Sequence, residues 1–177
     1  SRLQGHPDRV ILPYVEASTG SLGQGLSIAQ GMALAAKTDN KNYKVYCMVG
    51  DGEIQEGQIW ESLLSSPKFK LDNLIVILDY NKGQIDGPTN EVLNLEPLKD
   101  KLIAFNWDVQ EIDGHDFEQI QKALDNADRL NGKPHFIIAN TIKGKGVSFM
   151  EGVIDWHGKA PNKEQLEKAL EELSKIN

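Results

Sequence analysis

The stretch Val45-Tyr46-Cys47-Met48-Val49-Gly50-Asp51-Gly52, followed after a helix-sized interval by Leu74-Ile75-Val76-Ile77-Leu78-Asp79-Tyr80-Asn81, decides how this chain is read. Two short apolar runs of strand character end, one in an acid between glycines and the other in an amide. Glu53 to Tyr80 reads as loop, helix, loop and strand, which is what a crossover between parallel neighbours requires. Asp51 and Asn81 then fall at the carboxyl ends of adjacent strands, where open α/β sheets bind their ligands. A carboxylate and an amide oxygen suit Mg²⁺, a hard cation that takes about six oxygens and shares itself between protein groups and phosphates. Gly52 lacks a Cβ, so its N–H can approach a phosphate, and a helix starting near Gln55 would aim its first amides the same way. Alone, Gly-Asp-Gly reads equally well as a turn. The pairing with Asn81 is what favours a metal held against a diphosphate.

Working outward, strand and helix alternate. Residues 22–37 carry Leu22, Ile28, Ala29, Met32 and Leu34 with little charge, which predicts a helix buried on most of its circumference. Further helices are expected over 55–66, 97–105, 117–130 and 162–174, and strands over 45–49, 74–79, 107–112 and 135–141. Phe117, Ile120, Leu124, Ala127 and Leu130 recur at helical spacing behind a capping Asp116, and Leu166, Leu170 and Leu173 share one face of the last helix. The order predicts an α/β domain over 1–177, with an open, mostly parallel sheet and helices on both faces. Three long irregular stretches, 1–21, 80–96 and 142–161, are the expected seats of function.

Composition sets limits. The chain has 177 residues, enough for one good core and short for two. A net charge of −7 argues against nucleic acid or an anionic membrane as partner, since both require a basic face. It also means that a diphosphate needs a local cation and oriented amides. The single cysteine, Cys47, cannot form an internal disulfide and reads as a buried small hydrophobe. The longest apolar run, Leu74 to Leu78, is far below the ~20 residues that span a bilayer, and cytoplasmic residence is the default expectation.

Four runs carry a close resemblance to a known family. They are Glu16-Ala17-Ser18-Thr19-Gly20-Ser21-Leu22-Gly23-Gln24-Gly25-Leu26, Gly50-Asp51-Gly52-Glu53-Ile54-Gln55-Glu56-Gly57-Gln58-Ile59-Trp60-Glu61, Gln84-Ile85-Asp86-Gly87-Pro88-Thr89 and Trp156-His157-Gly158. In this order, across nearly the whole chain, they resemble the amino-terminal half of transketolase. The resemblance implies the thiamine diphosphate-binding fold, with thiamine diphosphate and Mg²⁺ as cofactors. Asp51 and Asn81 would be side-chain metal ligands, the backbone oxygen of Gly83 a third, and Gly52 a diphosphate contact. Gly20 and Leu22 would lie along the cofactor and Ile85 against its thiazolium ring. His6, in Gln4-Gly5-His6-Pro7, matches a histidine that contacts the donor sugar, and His157 one near both diphosphate and substrate. Histidine suits such work because it donates hydrogen bonds and titrates near neutrality. His115 and His135 lie outside the long loops and read as surface residues or satisfied core partners.

The same resemblance implies what the chain lacks. The family takes the glutamate that activates thiamine, and the arginines that hold sugar phosphates, from a second, pyrimidine-binding domain. It also places further segments ahead of the one that opens with Ser1, so the chain looks truncated at its start. The implied function is the diphosphate and metal subunit of a two-chain transketolase. With a pyrimidine-domain partner, in an α2β2 assembly, it would move a two-carbon ketol unit from a ketose phosphate to an aldose phosphate, and alone it would be inactive. Glu56 matches a subunit-contact glutamate, and the loop Lys143-Gly144-Lys145-Gly146 matches a flexible cover that could touch phosphate. The family pattern is broken by Tyr14 where glycine is common, by Gly83 where a larger apolar residue is usual, and by Ser65-Ser66-Pro67-Lys68. An alpha subunit of a 2-oxo-acid dehydrogenase shares the metal motif but not the runs at Ser18–Gly23 and Gln84–Gly87. A non-catalytic cofactor-binding fragment is the remaining alternative.

Overall fold

The computed structural model describes residues 2–129 and 131–175; Ser1, Leu130 and the last two residues lie outside it. Strands β1 (Val45–Gly50), β2 (Leu74–Tyr80), β5 (Asp108–Asp113) and β6 (His135–Asn140) form one parallel sheet in the order β1-β2-β6-β5. A two-residue hairpin, β3 (Gly83–Gln84) with β4 (Gly87–Pro88), sits just after Asn81. The helices are α1 (Gln24–Thr38), α2 (Gly57–Lys68), α3 (Thr89–Val92), α4 (Leu98–Ala104), α5 (Phe117–Ala127) and α6 (Lys163–Leu173). The path moves across the sheet from β1 to β2 to β5 and then returns to β6. Right-handed crossovers must place their helices on opposite faces when travel reverses. Accordingly α1, α2 and α4 pack with Leu74, Val76, Leu78 and Phe136 on one face, and α5 covers Ile75 and Ile137 on the other.

The sheet with helices on both faces is as expected, though coverage is unequal. The side chains of Tyr46 and Met48 on the edge strand β1 are exposed on the face served by α5. The α1 expectation also needs correction. Leu26, Ala29, Ala33 and Ala36 are buried, but Ile28, Gly31 and Ala35 are not, so one stripe packs on the sheet instead of most of the circumference. Its contact with α2 is polar: Ser27 and Ser62 share a hydrogen bond of 2.8 Å, and the Gln30 amide donates to Ser65 Oγ at 2.6 Å and Ser66 Oγ at 3.1 Å. The serines that break the family pattern in α2 therefore line a polar seam. Asp116 does cap α5, its carboxylate accepting from the N–H groups of Glu118 and Gln119. On α6 only Ala169 is buried, and Leu166, Leu170 and Leu173 remain largely exposed. Among the described residues, no helix is long and apolar enough to cross a membrane.

Candidate functional site

Asp51 and Asn81 follow β1 and β2, whose pairing ends with Gly50 opposite Asp79, so the strands place them side by side as the sequence implied. Asp51 is only 2% exposed. Its Oδ1 accepts from the Gly52 N–H at 2.8 Å and its Oδ2 from the Lys82 N–H. Asn81 Oδ1 accepts from the Gly83 N–H at 3.1 Å. Local backbone amides thus fix both side chains and leave further oxygen lone pairs for a cation. Opposite Gly83 stands Pro88, which has no N–H to engage the Gly83 carbonyl.

The electrostatics of this corner ask for positive charge. Burial pushes the Asp51 carboxyl above its usual range, the two backbone hydrogen bonds pull it back, Asp79 pushes it up again and Lys143 lowers it. Asp79 itself accepts a hydrogen bond from the Thr141 hydroxyl at the end of β6. Among the described residues there is no group of three His, Cys, Asp or Glu side chains able to hold a metal ion. One buried carboxylate with an amide oxygen does fit a hard dication that brings oxygen ligands of its own, such as Mg²⁺ on a diphosphate.

Lys143 is the member of the site that sequence reasoning underrated. A Cβ built on Gly83 would lie 3.3 Å from Asn81 Oδ1, 3.4 Å from Ile154 Cγ1 and 3.8 Å from Lys143 Cε. Ile154 and Lys143 therefore fill the space that a larger side chain at this position would take. That proximity brings Lys143 of the 142–161 segment to the strand ends, where its charge lowers the pKa of both Asp51 and His157. Glu53 was missed altogether. Its Oε1 accepts from the Gly23 N–H at 2.9 Å and its Oε2 from the Gly50 N–H at 3.1 Å, which ties the Leu22–Gly23 turn to the strand that carries Asp51. No local signal marks a contact spanning 30 residues.

Other expected members fall into place unevenly. His6 packs on Gly20 so closely that a Cβ there would meet its Cγ at 2.6 Å, which only glycine avoids. Gly52 is similarly covered by Gln84, whose Oε1 accepts from the Gln55 amide at 2.6 Å. Leu22 and Ile85 are 54% and 76% exposed, apolar groups open to solvent. One expectation fails: Gly52 leads into a 3₁₀ turn, Glu53–Gln55, and α2 starts only at Gly57 with Glu56 as its cap. The amides of Gln55 and Glu56 already donate to the carbonyls of Gly52 and Glu53. Cys47 is buried as expected, and burial, with Glu53 nearby, pushes its thiol up to about 12. His135 is fully buried, with Nε2 facing the Arg129 carbonyl, and the Nε2 of His115 accepts from the Ile142 N–H.

Residues 1–174 match the family model for the thiamine diphosphate binding domain of transketolase. The chain belongs to the transketolase family. It is 48% identical over 174 residues to an apulose-4-phosphate transketolase subunit of Phocaeicola vulgatus, a match covering 98% of this chain and 62% of that protein. It is also 48% identical to a 6-deoxy-6-sulfo-D-fructose transketolase subunit of a Clostridium species, covering 98% and 63%. Human transketolase is 40% identical over 98% of the chain and 27% of its own length. Among solved structures, transketolase from Campylobacter jejuni superimposes with a TM-score of 0.89 at 39% identity, over 98% of this chain and 28% of that one. This transketolase-family chain thus spans about three-fifths of the length of the subunit relatives.

His157 offers a direct probe of the site's charge. Burial lowers its imidazole below the usual range, Lys143 lowers it further and Asp51 raises it. With a folded pKa below the unfolded one, the fold favours the neutral ring, and the cost to stability appears as pH falls through the unfolded value of about 6.5. An NMR titration is expected to give a midpoint below that value, and Lys143→Ala is expected to raise it. A midpoint at or above 6.5 would show that burial and Lys143 do not outweigh Asp51 at this ring.

Proposed function

We propose that this chain is the diphosphate- and metal-binding subunit of a two-chain, thiamine diphosphate-dependent transketolase. The carrying observation is the Asp51–Asn81 pair, oriented by backbone amides at adjacent strand ends, with Lys143 and His157 beside it. Asp51, Asn81 and the Gly83 carbonyl would hold Mg²⁺, and the Gly52 backbone, whose N–H is held by Asp51, and Lys143 would face the diphosphate. Gly20, Leu22 and Ile85 would flank the cofactor, the last two using side chains that the isolated chain leaves exposed. Bound there, thiamine diphosphate would supply the carbanion-stabilising chemistry that transfer of a two-carbon ketol unit needs. His6, packed on Gly20, and His157, whose surroundings favour the neutral ring, would hydrogen-bond the sugar oxygens and move protons at them.

Three relatives bear the name of a subunit, which supports a partner chain; the proposal is that this partner carries the pyrimidine-binding domain and that the two chains form an α2β2 assembly. Their names specify apulose 4-phosphate and 6-deoxy-6-sulfo-D-fructose, so the proposed substrates are ketoses with a terminal anionic group, sugar phosphates first. Cytoplasmic residence is the corresponding proposal for location. The test is a ketol-transfer assay on the purified chain, alone and with a pyrimidine-domain chain. The expected result is no turnover alone and turnover with the partner that requires both Mg²⁺ and thiamine diphosphate. Full activity from the chain alone overturns the two-chain reading, and failure of the mixture to bind thiamine diphosphate with Mg²⁺ in calorimetry favours a non-catalytic fragment.

A further inference from the structure

We propose that Glu151 is a positioning residue whose carboxylate closes the 142–152 loop into a preformed clasp, holding the Lys143 ammonium at the Asp51–Asn81 corner so that diphosphate affinity depends on it. The inference rests on reading that corner as a diphosphate and metal site. Lys143 carries a long side chain from a segment with no helix or strand of its own until the short turn at Ile154–Trp156. Such a side chain loses rotamer freedom on binding, and a loop that is already shaped reduces what remains to be ordered.

The loop is closed from within. Its first residue is anchored where the Ile142 N–H donates to His115 Nε2 at 2.8 Å. The Gly152 N–H donates to the Lys143 carbonyl at 2.8 Å, joining the two ends next to the residue being presented. Gly144, at φ +71°, lies so close to the returning limb of the loop that a Cβ there would be 2.6 Å from the Met150 carbonyl oxygen. Val147, 6% exposed, plugs the interior, and its carbonyl accepts from both Met150 and Glu151. Glu151 completes the ring: Oε2 accepts from the Gly146 N–H at 3.1 Å, and Oε1 faces Lys145 Nζ at 3.3 Å. A second carboxylate, that of Glu172 on α6, accepts from both the N–H and the hydroxyl of Ser148 and ties the loop to the rest of the domain. The flexible cover implied by the family resemblance is here a hydrogen-bonded ring.

The rival reading is that Glu151 forms a plain exposed ion pair with Lys145, which would contribute little. A double-mutant cycle on the full chain separates the two, read by calorimetric titration with magnesium and inorganic diphosphate and by melting temperature. Lys143→Ala is expected to weaken diphosphate binding about tenfold or more, the scale of losing one charge-assisted contact. Glu151→Ala is expected to weaken it about fivefold in the native background and less than about twofold when Lys143 is already alanine, since it acts through that side chain. Glu151→Gln, which keeps an acceptor for the Gly146 N–H, is expected to restore most of the loss, and Lys145→Ala to change little. If Glu151→Ala does not fold, Glu151→Lys removes the same acceptor and should show the same pattern. Native affinity in the Glu151 variants, or an undiminished effect without Lys143, overturns the proposal while leaving the site reading intact. No diphosphate binding by the native chain, even with a pyrimidine-domain chain present, overturns both.

Discussion

Asp51→Asn is expected to weaken Mg²⁺-dependent binding of thiamine diphosphate by about a hundredfold or more while leaving the free chain folded. The loss is large because the substitution removes the one buried carboxylate at the corner, and truncating a desolvated charge partner commonly costs about 2–5 kcal/mol, where each 1.4 kcal/mol is tenfold. The free chain should tolerate it because two effects oppose. The folded Asp51 carboxyl lies above its unfolded value, so its ionised form costs stability at neutral pH, a cost that fades as pH falls through the folded value and that a bound cation removes. Asparagine relieves that cost. Its single oxygen cannot serve both the Gly52 and the Lys82 N–H, and leaving one unpaired costs about 1–3 kcal/mol. A melting temperature within about 5 °C of the native chain is therefore expected without ligand. With Mg²⁺ and thiamine diphosphate the native chain should gain several degrees by linkage, and the variant none. A variant that binds within threefold of the native chain would remove Asp51 from the metal.

What could be read in the sequence was whatever repeats locally or ends a strand. The β1 and β2 runs, the capping Asp116 and the parallel pairing that brings Asp51 beside Asn81 all follow from short-range pattern and appear in the fold. What could not be read depends on distant partners. The one-sided burial of α1 follows from the polar seam with α2, where Ser27, Gln30, Ser62, Ser65 and Ser66 satisfy one another across some 35 residues. Nothing in an alanine-rich stretch announces that. Glu53 carries no local mark of its role, yet it joins the Gly23 and Gly50 amides from separate segments. Gly83 breaks the expected pattern, and only the fold shows that Ile154 and Lys143 occupy the space beside it. The delayed start of α2 has a local cause: Gln55 and Glu56 donate back to Gly52 and Glu53, which forms a 3₁₀ turn before the helix begins.

Phe136→Ala is expected to destabilise the domain by about 3–5 kcal/mol, the largest single-residue loss of stability anticipated here. Phe136 is fully buried in β6, flanked by Val76 of β2 and Val109 of β5. Its ring meets Trp107 edge to face at 5.7 Å, and the Trp107 indole N–H donates to the Leu63 carbonyl at 2.8 Å, so one side chain joins the sheet to α2. Truncation removes the transfer energy of the ring and leaves a cavity that Trp107, held by that hydrogen bond, cannot readily fill. Urea unfolding should show a lower midpoint at unchanged slope, with a melting temperature lower by about 10 °C or more. Phe136→Leu, which refills part of the space, should lose less and serves if alanine prevents folding. Phe117→Ala, at a side chain 86% exposed, should change stability by no more than about 0.5 kcal/mol. A loss below about 1 kcal/mol for Phe136→Ala would show that β6 is not the centre of the core. The site is expected to be spared in the folded fraction. Asp79 lies three residues beyond Val76, the partner of Phe136, or about 10 Å along the strand. Diphosphate affinity measured at low temperature should therefore change less than about threefold, because a cavity lowers the stability of the platform without moving the oxygens at its edge.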